Sequence, residues 1–525
     1  MAIKNFNIPV IIIFIIALTL RICYINTKTS MYIDSPVSFV CATPNNLSPE
    51  GSKVKKDWSH VNFSTGINYK VSEVKKTLFF ADPSIKSIFN DIFTLYFHSM
   101  DYAHTNMYYS ILRVWITGLD GKDYKTMINR GCFLNVIFFC LSFFFLYRLL
   151  NLIKNDKKFI ELGLFFGFLS TASISITLLI RSYALMQLFF VIACYIFTYI
   201  YISLIKNKPK KWQNIVITRK NFILFSFGLA LFCLTGYLSI ALIGILFFIL
   251  LIKSLKEKTF KIKPFACFVL ILIGFIYVFY PNFLQMGNSE HAKLLQIPLI
   301  EYFKAFLNFR VVGHNLMFYL INFLFYNISI YVVIYILNFF GIPLVNNKNA
   351  LTKDEINISI MLALIAFIWI FIAYIICPYK EFPTTLRYIA PAFPILSIIL
   401  ILLTYNLKKW LFIIVLLLFL YSSCTTTYNK GIIFYNENNA LNINNLPVIQ
   451  NKKIPIVIVF KNLNQAWYSF VMYMDNDKTI RFEDNIPNKN YDLKEYVLIT
   501  SDTLKVENYE PLNLYGENIY YIKNN

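Results

Sequence analysis

Residues 222–252 read FILFSFGLALFCLTGYLSIALIGILFFILLI, an apolar run that is too long for one membrane helix and short for two. A helix needs about 20 apolar residues to cross a bilayer. Lysine and arginine residues crowd both ends of the run, at 206–220 before it and at 253–263 after it. Because basic loops stay on the cytoplasmic side, the chain must cross twice between them, and Gly236 is the predicted turn.

The rest of the chain repeats this alternation of apolar runs and lysine-bearing loops. Hydrophobic residues make up 57% of the 525 residues and charged residues only 15%, which is typical of a polytopic membrane protein rather than a soluble domain. Besides the two spans of the paired run, the predicted spans are 8–24, 132–153, 159–180, 183–205, 264–283, 314–339, 356–377, 388–405 and 410–424. The fold class is therefore a polytopic α-helical membrane protein with about eleven transmembrane helices.

The net charge of +21 would indicate nucleic acid binding in a soluble protein. Here the basic residues lie in short loops between apolar runs, as the positive-inside rule describes. We therefore interpret the charge as a signal of orientation, exclude nucleic acid as a partner, and expect membrane lipid around the chain.

The first apolar run admits two interpretations, a cleaved signal peptide or a retained anchor. No small-residue cleavage site follows it, and Arg21 occupies the place where such a site would lie. This favours a retained anchor with a cytoplasmic N-terminus.

Two regions are predicted to fold outside the membrane. In the outer loop 25–131, Asp82-Pro83-Ser84 marks a helix start, and amphipathic segments follow up to Phe97 and again at 107–119. We expect helices lying in the membrane interface there, or alternatively ordinary packing helices of an outer domain.

The second outer region is the tail. Apolar alternation predicts a helix at 462–474 and strands at 454–460, 479–483, 496–500 and 518–522. The predicted domains are thus a transmembrane domain, 1–425, which includes the outer loop, and a small extracytoplasmic α/β domain, 426–525.

Three charged residues stand at predicted outer ends of spans. Asp34 follows the first span and is a candidate general base toward a hydroxyl group, or alternatively a helix cap or a solvated loop residue. Arg181 and Arg387 depart from the positive-inside rule. Guanidinium groups offer a planar fork of donors that suits phosphate, and snorkelling to lipid headgroups is the alternative.

Asp101 and His104 form a further candidate pair, because their i, i+3 spacing would place both on one helix face. A metal site needs more ligands, and no third ligand follows from the spacing. A polar loop pair is the alternative. The sequence assigns no cofactor and leaves open whether a divalent metal is needed.

At these residues the chain resembles the GT-C superfamily of membrane glycosyltransferases. The resemblance is to bacterial polyprenyl-phosphate-sugar transferases of the protein O-mannosyltransferase (glycosyltransferase family 39) and aminoarabinose transferase types, and it covers about residues 1–425. The matching residues are Asp34; Asp101 and His104 leading into Tyr108, Tyr109, Leu112, Arg113 and Trp115; Arg181, Tyr183 and Leu185; and Arg387, Tyr388, Pro391 and Pro394.

The chain also departs from the family pattern. Ser35 stands where the family often has Glu, which weakens the expectation of a metal pair there. Thr105 and Asn106 replace two prolines, and Gly236 replaces a histidine in the family's Thr-His-Tyr.

The resemblance implies an integral membrane glycosyltransferase of the bacterial inner membrane, with its active site and C-terminus outside the cytoplasm. It would transfer a sugar from a polyprenyl-phosphate donor to an extracytoplasmic glycan, lipid or protein, with inversion at the anomeric carbon. Asp34 would be the base, with Asp101 and His104 as further catalytic candidates. The donor phosphate would be bound by Arg181, Tyr183, Arg387 and Tyr388.

Two alternatives remain from the sequence. A polysaccharide polymerase or ligase would use a diphosphate-linked oligosaccharide. A flippase for lipid-linked sugars would need polar or charged residues through the bilayer centre, and the predicted spans contain few.

Overall fold

The computed structural model describes residues 7–32, 34–46, 63–97, 105–206, 208–284, 332, 336, 351–376, 384–430, 451, 453–459, 467–487, 491–500, 512–514 and 517–523. The helices are α1 (Ile8–Thr27), α2 (Asp34–Ala42), α3 (Val71–Phe79), α4 (Ile85–Phe97), α5 (Asn106–Trp115), α6 (Tyr124–Ile153), α7 (Lys157–Phe168), α8 (Thr171–Thr177), α9 (Tyr183–Ser203), α10 (Arg219–Cys233), α11 (Tyr237–Lys256), α12 (Ile262–Phe279), α13 (Lys353–Ile376), α14 (Thr384–Ile389), α15 (Phe393–Thr404), α16 (Lys409–Lys430) and α17 (Trp467–Tyr473). The strands are β1 (Asn68–Lys70), β2 (Ile456–Val459), β3 (Thr479–Glu483), β4 (Glu495–Thr500), β5 (Leu512–Leu514) and β6 (Glu517–Lys523).

Membrane-spanning helices dominate the described part of the chain. Within it, 7 helices are long and apolar enough to cross a bilayer, and the bent pair of α7 and α8 makes an eighth candidate. The predicted fold class, a polytopic helical membrane protein with a small α/β unit, is confirmed. The count of about eleven spans is not confirmed; the predicted span 314–339 lies outside the described residues except at 332 and 336.

The apolar run at 222–252 is broken at the predicted place. Helix α10 ends at Cys233 and α11 begins at Tyr237, with Gly236 as the residue before α11. Gly236 has φ 156° and ψ 167°, a backbone region that is essentially reserved for glycine. The two helices pack against each other, so the lysine-rich segments before α10 and after α11 lie at the same end of the hairpin.

The predicted span 159–180 is broken by a bend. Helix α7 stops at Phe168, α8 starts at Thr171, and their axes differ by 59°. The Ser170 side chain accepts a hydrogen bond from the Ser173 backbone N–H and thereby caps a new helix. The Phe168 carbonyl, which a continuous helix would have used internally, instead accepts from Arg21.

Arg21 lies on α1 and is completely buried. Its donors reach the Thr177 hydroxyl at 3.1 Å, the Ala17 carbonyl at 2.8 Å, and both the carbonyl and the hydroxyl of Ser173 at 3.1 and 3.0 Å. The guanidinium carbon also lies 3.8 Å from the centre of the Phe139 ring. Arg21 therefore joins the first helix to the bend between α7 and α8.

Helix α4, in the outer loop, has an apolar outer face and a polar inner contact. Ile85, Phe89 and Phe93 follow an i, i+4, i+8 spacing and are 73%, 67% and 65% exposed. The opposite face buries Asp91, which forms an ion pair with Arg113 of α5. An exposed apolar face of this kind is what a helix lying against lipid would present, and the interfacial placement stays a prediction.

The tail forms most of a sheet with strand order β1-β3-β2-β4-β6-β5. Strand β2 pairs in parallel with β3 and β4, and the remaining pairs are antiparallel. The strands predicted in the tail are present, whereas β1 and β5 were not predicted. The edge strand β1 comes from the outer loop, so both outer regions contribute to one sheet.

The tail also contacts the segment that carries Asp34. Helix α17 packs against α2 and α3. The Met31 backbone N–H donates to the Tyr473 hydroxyl at 2.5 Å, and the buried Lys75 ammonium donates to the Met474 carbonyl at 2.7 Å. The tail thus braces the segment at the start of α2.

Candidate active site

Asp34 is the first residue of α2, and every other residue of this helix is buried. A carboxylate at a helix N-terminus is favoured by the helix dipole. The Ser38 hydroxyl, one turn further along, donates to the Ile180 carbonyl at 2.7 Å. Helix α2 is thereby fixed against the turn that carries Arg181.

Arg387 of α14 forms an ion pair with Asp34 through Nη1. The side chains of Arg387 and Asp34 are 7% and 16% exposed, so the pair is largely withdrawn from water. The pair joins the beginning of the chain to one of its last membrane helices. An adjacent guanidinium stabilises the carboxylate form of Asp34.

Three tyrosine rings surround the Arg387 guanidinium. Its carbon lies 5.8 Å from the ring centre of Tyr32, 5.7 Å from that of Tyr183 and 5.0 Å from that of Tyr388. Its Nη2 also donates to the Tyr388 hydroxyl at 3.2 Å. Aromatic faces attract a cation without consuming its N–H donors, so they hold the guanidinium in place and leave donors for another ligand.

One donor of Arg387 has no hydrogen-bond partner among the described residues. Its Nε is buried and receives none of the contacts made by Nη1 and Nη2. A buried donor that is left without a partner costs about 1–3 kcal/mol, so it indicates a position where a ligand acceptor would be stabilising.

Arg181 lies between α8 and α9 and is also buried. Its Nη1 donates to the Tyr109 hydroxyl of α5 at 3.2 Å. The rings of Tyr183 and Tyr388 meet edge to face with centres 5.3 Å apart.

The structure therefore brings together five of the predicted site residues: Asp34, Arg181, Tyr183, Arg387 and Tyr388. They come from α2, the α8–α9 turn, α9 and α14, and they lie where these helices end. Asp101 and His104 lie outside the described residues, and their predicted roles stay predictions. Among the residues that are described, no group of three His, Cys, Asp or Glu side chains could hold a metal ion.

Sequence reasoning did not assign two members of this cluster to the site. Tyr109 was part of the quoted motif, but its hydrogen bond to Arg181 was not foreseen. Tyr32 precedes Asp34 by two residues, and only that proximity could have suggested it. Tyr108 lies beside Tyr109, and burial raises the pKa of its hydroxyl far above the usual value, so it stays neutral.

Arg113 has a structural position in spite of its place in the motif. Its Nη2 donates to the Asp82 carbonyl at 2.7 Å and to the Ser87 hydroxyl at 3.3 Å, and its Nε pairs with Asp91. These contacts hold α4 against α5. Arg113 thus secures the outer loop.

The fold of the chain is similar to a solved structure. No known protein family matches the chain, and no curated protein matches it. The chain is similar to the crystal structure of ArnT from Cupriavidus metallidurans bound to undecaprenyl phosphate, with 9% identity, coverage of 93% of this chain and 92% of that chain, and a TM-score of 0.45. Because the TM-score is below 0.5, this similarity carries no argument about function. The function is argued from the side chains of the site.

Proposed function

We propose that this chain is a membrane glycosyltransferase of the GT-C type, which moves a sugar from a polyprenyl-phosphate donor to an acceptor outside the cytoplasm. The observation that carries this proposal is the pair of Asp34 and Arg387 inside a ring of tyrosines, with Arg181 in the turn that contacts helix α2. One carboxylate and two guanidinium groups at the ends of apolar helices are the groups needed to activate a hydroxyl and to hold a lipid phosphate.

Arg387 and Arg181 would bind the donor phosphate. Charge-assisted hydrogen bonds from guanidinium to phosphate are among the stronger contacts that proteins make. Arg387 offers its buried Nε in addition to the amino group that Asp34 occupies. As the bond from sugar to phosphate breaks, negative charge grows on the phosphate, and positive groups already in place stabilise that charge.

Asp34 would act as the general base. The acceptor oxygen forms a bond to the anomeric carbon, the bond from that carbon to the phosphate oxygen breaks with its electron pair leaving on the phosphate, and the hydroxyl proton moves to the Asp34 carboxylate. A single displacement of this kind inverts the anomeric configuration. Phosphate binding at Arg387 would weaken its hold on Asp34 and so make the carboxylate available to the acceptor.

The proposed placement of the site follows the lysine distribution. We propose a bacterial inner membrane with the N-terminus in the cytoplasm, and with the site and the C-terminus on the outer side. The acceptor would be a glycan, lipid or protein of the cell envelope, because nucleotide-linked sugars are lacking there whereas lipid-linked donors are available.

The test is sugar transfer by the purified protein in lipid vesicles. The assay supplies a polyprenyl-phosphate sugar and a cell-envelope extract, and it compares wild type with Asp34→Asn. Loss of a general base costs about 10²–10⁴-fold in rate. Asp120→Asn is the matched control, since Asp120 is an exposed carboxylate of the same outer loop that accepts only from the Lys122 backbone among the contacts described.

Other outcomes separate the alternative functions. Transfer from a diphosphate-linked oligosaccharide but not from the monophosphate donor would identify a polymerase or ligase. Movement of labelled donor across the vesicle membrane, with no transfer and no sensitivity to Asp34→Asn, would identify a flippase. Wild-type transfer rates in Asp34→Asn would remove Asp34 as the base and direct attention to Asp101.

A further inference from the structure

A cavity of about 270 Å³ opens between α9, α10, α11 and α12, in a different part of the molecule from the Asp34 cluster. Its walls are aliphatic and aromatic side chains, among them Leu204, Phe222, Phe247, Leu250 and Phe268. A polar ligand would lose its hydration in such a cavity without gaining hydrogen bonds, so the walls select hydrocarbon.

One part of the cavity lining is polar. Ser254, Thr259 and Lys261 belong to its lining, at the turn between α11 and α12. This turn is closed by hydrogen bonds from the Thr259 N–H to the Ser254 carbonyl at 2.9 Å and from the Lys258 N–H to the Leu255 carbonyl at 3.0 Å. Lys258 adopts φ 54°, a left-handed conformation that makes so tight a turn. The turn thus fixes the backbone that leads to Lys261 in the lining.

The segments that precede α10 and follow α11 are strongly basic. Segments 206–220 and 253–263 contain eleven Lys and Arg residues and a single acidic residue, Glu257. Glu257 is already paired with Lys253 at 2.7 Å. The excess positive charge is complementary to an anionic group, and Lys261 is exposed at the lining.

We infer that this cavity binds an acyl chain of an anionic phospholipid, with the lipid phosphate at Lys261. Apolar walls and a cationic rim fit the two ends of that molecule, and basic pockets between membrane helices are a recurrent type of site for anionic headgroups. A neutral lipid would fill the cavity without using the rim, and free phosphate would use the rim without filling the cavity. This site does not depend on the proposed transferase activity.

The experiment measures lipid binding to the purified, delipidated protein by native mass spectrometry. Phosphatidylglycerol and phosphatidylcholine with identical acyl chains are titrated separately. We expect phosphatidylglycerol to bind about tenfold more tightly, and inorganic phosphate not to displace it. Equal binding of the two lipids would overturn the inference, because it would leave only non-specific lipid contact.

Two variants locate the ligand. Lys261→Gln should weaken phosphatidylglycerol binding about fivefold, as expected for one lysine near a headgroup. Lys157→Gln is the matched control, because Lys157 is an exposed lysine of another loop on the same predicted side. Leu251→Trp, at a partly exposed position of the lining, should fill the cavity and abolish the preference for phosphatidylglycerol.

Equal losses in Lys261→Gln and Lys157→Gln would show that total charge alone attracts the lipid, and would overturn the site. Wild-type binding by a folded Leu251→Trp would place the acyl chain elsewhere. If Leu251→Trp does not fold, six-carbon phosphatidylglycerol serves the same purpose on the wild type: binding as tight as that of the long-chain lipid would contradict a role for the cavity.

Discussion

Arg21 and Arg387 are both buried among apolar helices, yet their partners differ. Arg21 donates to carbonyl and hydroxyl oxygens of the chain, including those of Phe168 and Ser173, and packs on Phe139. Arg387 is bound to a carboxylate and to a tyrosine hydroxyl, and its Nε has no partner among the described residues.

The difference shows what buried arginines can do in a membrane protein. Backbone carbonyls cannot leave Arg21 without breaking helix α7 or α8, so Arg21 is a permanent part of the bend. Asp34 is a side chain that can give up Arg387 to a stronger anion, such as phosphate. Burial alone therefore does not identify a functional arginine. Arg387 differs from Arg21 in having an exchangeable partner and a spare donor.

The largest expected effect is at Arg387. Arg387→Lys keeps the charge but replaces a planar fork of donors by a point charge. We expect sugar transfer to fall about 10²-fold, because one donor group directed at developing charge contributes on that order. The measurement is the transfer rate per folded protein. A rate within twofold of wild type, at normal protein abundance, would argue for lipid snorkelling instead; Arg181→Lys should be impaired in the same direction.

For Arg21 we expect the reverse of Arg387: substitution should lower the stability of the protein and leave its transfer activity nearly unchanged. Arg21→Met removes the donors to Phe168 and Ser173 and leaves buried carbonyls unsatisfied, at a cost of about 3 kcal/mol in unfolding free energy. Thermal unfolding in detergent should therefore begin at a lower temperature. Transfer per folded molecule should stay close to wild type. A stable Arg21→Met protein that is inactive would remove the distinction between the two arginines.

Tyr109 provides a finer test on the functional side. Tyr109→Phe removes the hydrogen bond to Arg181, which is worth about 1 kcal/mol, and donor binding should weaken about fivefold. The neighbouring Tyr108→Phe is the matched control, since the Tyr108 hydroxyl has no hydrogen-bond partner among the described residues. Donor affinity is measured directly with polyprenyl phosphate. Equal losses in both variants would point to packing rather than to the hydrogen bond.

Lys75 of α3 extends the comparison to a buried lysine. We expect its substitution to give the smallest effect of the series. Burial lowers the pKa of Lys75 from 10.5 to about 8. At pH values between 8 and 10.5, Lys75 is protonated in the unfolded chain and largely neutral in the folded chain. Because the unfolded chain then binds more protons, the free energy of unfolding should rise as the pH increases from 8 toward 10.5. Comparing unfolding of wild type and Lys75→Met across this range isolates the contribution. A parallel pH dependence in both proteins would contradict it.

Local patterns in the sequence predicted much of this fold. Apolar runs and lysine loops located the helices and the turn at Gly236, because both signals depend on neighbouring residues. Alternation located most strands of the tail. The bend at Ser170 was missed because the group that takes the Phe168 carbonyl is Arg21, which lies far away in the sequence.

Five members of the described cluster were predicted from the sequence, but Tyr32 and Tyr109 were not assigned to it, and the contacts were not foreseen. The positive-inside rule marked Arg181 and Arg387 as exceptions, and the resemblance pointed to Asp34. The ion pair between Asp34 and Arg387 joins residues 353 positions apart, and no spacing in the sequence encodes it. Strand β1 was missed for the same reason, since three residues become a strand only when β3 lies beside them.

The pairing of β1 with β3 decides whether the chain crosses the membrane an odd or an even number of times. Asn68 is opposite Arg481 in one hydrogen-bonded sheet, and such a sheet cannot straddle a bilayer. The chain must therefore cross the membrane an even number of times between β1 and the tail, and an odd number in total once α1 is counted as a span. The predicted count of about eleven satisfies this rule, whereas ten or twelve would not. Impermeant labels attached near Gly66 and near Lys523 must consequently react from the same side of the membrane.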